Sequence, residues 1–438
     1  MASNPGAQVI AVGDFNANAK PDFVWLDPGA GLKPLGMWEL NLAQAAVTTF
    51  ALAPAFDDAI YGSAHFSNNA GVPSQMLMNR GGAMTLQWVS STGTYTGVQV
   101  AGGSWTGINY IAAGQFTAGA AQAGIADFLV SDAQNHLWDY SIGPGNILSK
   151  FDITALPGGQ SWSGLTLLGT GQFFQAGVTN FLVLNNQSGS PQQNQAYDWW
   201  LDPLTNALRG TSATPAGDSW ANKQLFAIGT FDTRSDLPAG RNEWLVRVTD
   251  PLSPLSNHLL EWYINSNGQT VGLDLGAAPG NVELVTIGHF DSNSAKSELI
   301  VRNKSDGHLY EWWVTPNGTL SGVDLTANSG VGTGVQIIGT GNYFGSGDDD
   351  LLVHDTSNGN FYLWAPLVVQ PGNPASTTII GIALTDPPFS PDSTALLAQS
   401  MASFGSGSLQ LTGSTTLSAV ANLSHQTVLA PALNQHLA

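Results

Sequence analysis

The sequence predicts an all-β chain folded as a seven-bladed β-propeller, with four antiparallel strands per blade and a short C-terminal helix and tail. Three observations lead there. The 438 residues include 51 Gly and 14 Trp, but only 10% are charged, against about 25% in an ordinary domain. Long surface helices need charged outer faces, so this composition favours short strands and tight turns. A triplet of small residue, any residue and aromatic recurs along the chain. After each triplet the same succession of strand patterns returns.

The triplet occurs as Gly13-Asp14-Phe15, Ala64-His65-Phe66, Gly114-Gln115-Phe116, Gly171-Gln172-Phe173, Gly229-Thr230-Phe231, Gly288-His289-Phe290 and Gly341-Asn342-Tyr343. The offsets between copies are 51, 50, 57, 58, 59 and 53 residues. An acid or amide and an apolar run follow each copy: "DFVWLD", "QMLMN", "DFLVSD", "NFLVLN", "EWLVRV", "ELIVRN" and "DLLVHD". Next comes a Gly- or Asn-rich turn and a Trp-bearing strand ("GMWEL", "LQWVS", "LWDYS", "YDWWL", "LEWYI", "YEWWV", "YLWAP"). A polar-alternating strand such as "TGVQVAG" or "SGVDLTA" closes the copy. Four strands in a repeat of this length match a propeller blade. One such sheet cannot bury both faces alone, whereas blades stacked around an axis bury each other, and ring closure protects the sheet edges.

The propeller is placed in residues 1–388, with blades starting near 9, 60, 108, 165, 223, 282 and 335. The triplet lies on the innermost strand, where small residues suit a crowded axis. The third-strand Trp residues are expected to pack between blades. Beyond Pro388, "SPDSTALLAQSMASF" reads as one short helix with Asp392 or Ser393 as N-cap and Leu397, Met401 and Phe404 on one face. The rest of the 389–438 tail is rich in Ser, Thr, Leu, Ala and Gly, and no Lys or Arg follows Lys304.

"GDFNANAKPDFVWLDPGAGLKPLGMWELN" resembles the bacterial FG-GAP/VCBS-type repeat: Gly-Asp-Phe, an Asp/Asn-rich loop, an Asp, an apolar strand and a Trp strand. The other copies are degenerate. The resemblance implies a propeller of secreted or surface proteins used in adhesion or ligand recognition, and no particular activity. The tail resembles uncleaved type I secretion signals, which fits the absence of a Sec signal in "MASNPGAQVIAVGDF". A secreted, extracellular location is expected.

Charge narrows the partners. A net charge of -19 with 12 basic residues is unsuited to nucleic acid, and no apolar run is long enough for membrane insertion. With no cysteine, disulfides, thiolate metal sites and Cys nucleophiles are excluded.

In the first copy Asp14, Asn16, Asn18 and Asp22 alternate as loop positions one, three, five and nine, and Lys20 could offer its carbonyl. This spacing can supply oxygens to a weakly held Ca²⁺. The same residues also make ordinary turns by bonding their own backbone. Asp291, Asn293 and Glu298, and Asp348 with Asp350, are poorer versions of the loop. A Ser-Trp stands nine residues before the triplet in three copies: Trp105, Trp162 and Trp220. These three Trp residues form a lectin-like stacking platform for a sugar, or they wedge between blades.

No metalloprotease, nucleophile-elbow or phosphate-loop motif is present. His65 and His289 share one repeat position near the axis, and His289, His308 and Glu311 fall in one blade. The leading expectation is a non-catalytic binding protein for a glycan or surface protein. The alternatives are a polysaccharide lyase or hydrolase acting at the axial mouth, and an effector or scaffold that binds a host protein.

Overall fold

The computed structural model describes residues 8–18, 22–26, 35–41, 46–53, 58–67, 74–90, 94–155, 161–175, 177–205, 207–231, 236–238, 240–279, 281–290, 296–326, 334–344, 347–355, 360–368 and 377–384. They form an all-β, propeller-like ring of small sheets. The first sheet is β1 (Gln8–Gly13), β2 (Asp22–Leu26), β3 (Leu35–Asn41) and β4 (Ala46–Ala53). β5 (Ala59–Ala64), β6 (Gln75–Arg80), β7 (Ala83–Val89) and β8 (Tyr95–Ser104) follow. β9 (Ile108–Gly114), β10 (Asp127–Asp132), β11 (Leu137–Gly143) and β12 (Ile147–Asp152) come next. Four further sheets are β13 (Leu165–Gly171) to β16 (Leu208–Ser212), β17 (Lys223–Gly229) to β20 (Thr270–Ala277), β21 (Val282–Gly288) to β24 (Leu320–Asp324) and β25 (Val335–Gly341) to β28 (Thr377–Leu384). Their middle strands are β14 (Asn180–Asn185), β15 (Gln195–Leu201), β18 (Glu243–Val248), β19 (His258–Ile264), β22 (Glu298–Asn303), β23 (Leu309–Val314), β26 (Asp350–Asp355) and β27 (Asn360–Val368).

This corrects the expected blade count. Five sheets stand alone as four-stranded blades, not seven. The strands expected to make a second and a third blade lie in one eight-stranded sheet of order β5-β6-β7-β8-β12-β11-β10-β9. The join is a single parallel pair, Ile147↔Ala101. β8 runs ten residues, long enough for its open outer edge to reach the start of β12. An unpaired edge takes a neighbouring strand when one comes within reach.

β1, β5, β9, β13, β17, β21 and β25 neighbour one another in that order around the axis. The ring closes where β25 meets β2. The Phe23 and Tyr343 rings lie 5.5 Å apart, and a Cβ on Gly339 would sit 2.6 Å from Phe23. Each inner strand carries a bulge at the same point, for example between Leu167 and Gly169 and between Leu225 and Ala227. A bulge bends and twists the strand.

Apolar cores fill the spaces between sheets. Phe15, Val24 and Met37 of the first sheet pack with Met76, Met78 and Val89 of the next. Phe173 and Trp220 pack with Trp244 and Trp262. In three sheets a third-strand Trp ring, Trp199, Trp262 or Trp312, lies over a glycine of the fourth strand. A Cβ on Gly210 would stand 2.5 Å from Trp199, and one on Gly322 would stand 2.3 Å from Trp312. The turn in "TAGAAQAGIAD" is helix α1 (Ala118–Ala123), capped by the Thr117 side chain on Ala120 N–H and ended by Gly124 at φ 66°. The expected C-terminal helix and tail lie outside the described residues.

Candidate active site at the axial mouth

The residues that end the inner strands build one mouth of the ring. Each triplet turns there, and its aromatic is buried: Phe15, Phe66, Phe116, Phe173, Phe231, Phe290 and Tyr343. The recurring acid after the turn fixes the aromatic's backbone. Phe15 N–H donates to Asp22 (2.9 Å), Phe116 to Asp127 (2.7 Å), Phe231 to Glu243 (2.8 Å) and Phe290 to Glu298 (2.7 Å), and in the last copy the residue after the aromatic, Phe344, donates to Asp350 (2.8 Å). These acids are buried, so each satisfies a donor that would otherwise be left without a partner away from water.

The middle residue of the triplet clasps the next repeat. Its carbonyl accepts an N–H from the residue just before the next acid. The pairs are Asp14 with Ser74 (3.1 Å), His65 with Ala126 (2.7 Å), Gln115 with Thr179 (2.7 Å), Gln172 with Asn242 (2.7 Å), Thr230 with Ser297 (2.5 Å) and His289 with Asp349 (2.6 Å). In four of these the side chain answers: Thr179 accepts from Gln115 N–H at 2.8 Å, Asn242 from Gln172 at 2.7 Å, Ser297 from Thr230 at 3.1 Å and Asp349 from His289 at 2.8 Å. The sequence reading overlooked these positions. Their signal was present: Ser, Thr, Asn, Ser and Asp, all with an acceptor side chain, occupy five of the seven sites before the acid. The matching residue before Asp22 is Pro21, which has no N–H to give.

A second row of acids backs the first. Register places Asp139 opposite Leu129, Asp198 opposite Leu182, Glu261 opposite Leu245 and Glu311 opposite Ile300. Each thus shares a sheet face with Asp127, Asn180, Glu243 or Glu298, two residues earlier. Asn180 Nδ2 donates to Asp198 at 3.0 Å. Burial lifts Asp198 to about 8, and burial lifts Asp350 to about 7. Asp139 is raised by burial and then by the Asp127 charge. The signal for this row was an acid beside the third-strand Trp, as in "LWDYS" and "LEWYI".

The metal candidates of the first loop are used inside it. Asp14 Oδ1 and Asn16 Oδ1 both accept from Asn18 N–H, at 3.0 and 3.1 Å. Asn18 Nδ2 donates to Glu39 at 2.7 Å, and Asn16 Nδ2 stands 3.4 Å from Asp22. Burial, aided by the Asp14 and Glu39 charges, raises Asp22 to about 8. Lys20, Asp291 and Asn293 lie outside the described residues. Glu298 and Asp350 cap their aromatic turns, and Asp348 is partly buried. Among the described residues no group of three acids or histidines is placed to hold a metal ion.

His65 and His289 sit at the mouth, partly buried. His65 Nδ1 is 3.0 Å from Gly124 O, and His289 Nδ1 is 2.7 Å from Lys296 O. A carbonyl can only accept, so each Nδ1 carries the hydrogen, and a neutral ring then keeps its lone pair on Nε2. His308 is tied to Asp324 at 2.6 Å instead, and Glu311 is buried in its sheet.

Trp105 and Trp220 are each 4% exposed and belong to inter-sheet cores. The Trp105 indole donates to Met78 O at 2.9 Å. Trp162 is partly buried against the core that holds Trp105. Large indoles bury more area as wedges than as bare plates.

No known protein-family pattern matches the sequence. No curated protein matches it either. Similar solved structures include a post-proline cleaving enzyme from Rickettsia typhi, with 9% identity, TM-score 0.48, and coverage of 88% of this chain and 54% of that one. Prolyl oligopeptidase B from Galerina marginata has 10% identity and TM-score 0.49, over 88% and 53% of the two chains. A protein from Lactobacillus plantarum has 9% identity and TM-score 0.32, over 88% and 86%. The chain spans about half the length of the two peptidases. The expected non-catalytic glycan-binding role is corrected here. The Trp residues on which it rested do not supply a platform, since Trp105 and Trp220 are too deeply packed to stack on a sugar.

Proposed function

We propose that the chain is a ring of seven FG-GAP/VCBS-like repeats, the second and third sharing an edge, and that it acts as a polymer-cleaving hydrolase or lyase at the axial mouth. The observation that carries this reading is the pair of imidazoles at one repeat position, His65 and His289, each held through Nδ1 by a backbone carbonyl. Such a ring is oriented, and with the hydrogen on Nδ1 the Nε2 of His289 is the nitrogen that would take a proton from water or from a substrate carbon. Asp349 accepts from His289 N–H and fixes that residue's backbone. Placement at the end of rigid inner strands, laced to their neighbours, suits a catalytic group that has to hold its position.

The test is a turnover assay of the full chain on a panel of polysaccharides, with a proline-containing peptide as a further substrate. His289→Ala and His65→Ala are expected to lower the rate about 100-fold or more while leaving the melting curve in place. Wild-type protein that turns over nothing on the panel defeats the reading, as does full activity in both variants.

A further inference from the structure

A crevice of about 380 Å³ opens on β7 and β8, lined by Arg80, Ala83, Thr85, Gln87, Tyr95 and Gln99 with Gly97 and Val98. It lies far along the strand order from the axis, on the outer two strands of their four-stranded half. Register explains its floor. Thr85 pairs with Gln99 and Gln87 with Gly97 across β7 and β8, and Met78 and Met76 stand opposite Thr85 and Gln87 on β6. All of these therefore share one face. It is the face turned toward the first sheet, since Met76, Met78 and Tyr95 pack with Phe15, Val24 and Met37. Gly97 makes room for the Gln87 side chain, which lies 3.1 Å from where a Cβ would stand.

Two polar atoms in the floor lack a partner. Gln87 Oε1 and Thr85 Oγ1 are buried and bond to nothing in the protein, on side chains 3% and 7% exposed. Buried polar atoms are nearly always satisfied, and leaving one unpaired costs about 1–3 kcal/mol. At the rim stands Arg80, whose side chain is 70% exposed and is ion-paired with Asp58 at 3.7 Å. The chain carries a net charge of -19, so this guanidinium is an uncommon place for an anion to settle.

We propose that this crevice binds a small molecule that joins a carboxylate to an N–H donor, namely a free amino acid or a dipeptide. The carboxylate takes Arg80 from Asp58, and the Thr85 hydroxyl and Gln87 Oε1, sealed in the floor of the unliganded crevice, turn into it to bond the carboxylate and the N–H. A few hundred Å³ is the lower end of a small-ligand pocket and suits a molecule of that size. The site is independent of the mouth and does not require the chemistry proposed there.

The experiment is ligand-observed NMR followed by calorimetry on the full chain, with the free amino acids and a set of glycyl dipeptides as probes. Saturable binding with a Kd of about 1 mM or tighter is expected for at least one probe. Gln87→Met keeps the volume and removes the acceptor, and it should weaken that binding at least tenfold. Arg80→Gln, at an exposed position that the fold does not depend on, should do the same and keeps the test valid if the first variant fails to fold. No saturable binding by the wild type overturns the proposal, and so does binding that Arg80→Gln and a folded Gln87→Met both leave unchanged.

Discussion

In the first sheet Asp22 accepts from Phe15 N–H at 2.9 Å, and in the β17–β20 sheet Glu243 does the same for Phe231 at 2.8 Å. The residue before the acid differs. In the β17–β20 sheet it is Asn242, which gives its N–H to Gln172 O and takes Gln172 N–H on its side chain, both at 2.7 Å. In the first sheet it is Pro21, which can give no N–H. The acid folds its own repeat, whereas the residue before it joins that repeat to its neighbour. Two adjacent positions therefore carry separate duties, and the ring is laced everywhere among the described repeats except at the seam, where Phe23 packs on Tyr343 instead.

The strongest way to break the comparison is Asn242→Pro, which gives the β17–β20 sheet the residue of the first. It removes two partly buried hydrogen bonds and puts Pro where an N–H is used, which should cost about 3 kcal/mol, read as a lower urea midpoint. An unchanged midpoint would mean that the clasp contributes nothing to the ring.

The buried acids give the next effect, which follows pH. Asp22 and Asp198 lie near 8 and Asp350 near 7 when folded, while unfolded carboxyls ionise at about 4. The folded chain therefore holds protons that the unfolded chain has released, and unfolding free energy falls as pH rises from about 4 to about 8. Melting temperature should decline across that window. Asp198→Asn mimics the protonated acid and should remove up to about 1.4 kcal/mol per pH unit from the slope. A variant whose melting temperature depends on pH as steeply as the wild type's would contradict a protonated Asp198.

The smallest effect sharpens the comparison. Ala126 gives its N–H to His65 O but has no side-chain acceptor of the kind Thr179 and Asn242 use. Ala126→Ser should add one such bond and raise stability by about 0.5–1 kcal/mol. A loss of stability would show that the site has no room for the hydroxyl.

Much of this was legible in the sequence, because strand periodicity and the triplet are local. The Gly13, Gly114 and Gly341 triplets mark ends of inner strands. The acids at 22, 127, 243, 298 and 350 stood out by recurrence; three of them, Asp22, Glu298 and Asp350, were offered as metal ligands, and all five cap a turn. The clasp residues were harder to see. A backbone N–H does the work there, and any residue except Pro supplies one, so selection leaves a faint mark. The Gln87 and Thr85 crevice left no sequence signal, since it arises from which residues face each other across β7 and β8.

The sequence by itself determined the repeating strand pattern, the all-β class and the buried aromatic of each turn, because these depend on residues only a few positions apart. The tertiary structure alone decided that β8 would pair with β12, that Trp105 and Trp220 would be wedges, and that paired acids would share a buried face. Those outcomes depend on which edges and faces meet when separate sheets pack around an axis, and no local spacing encodes that meeting.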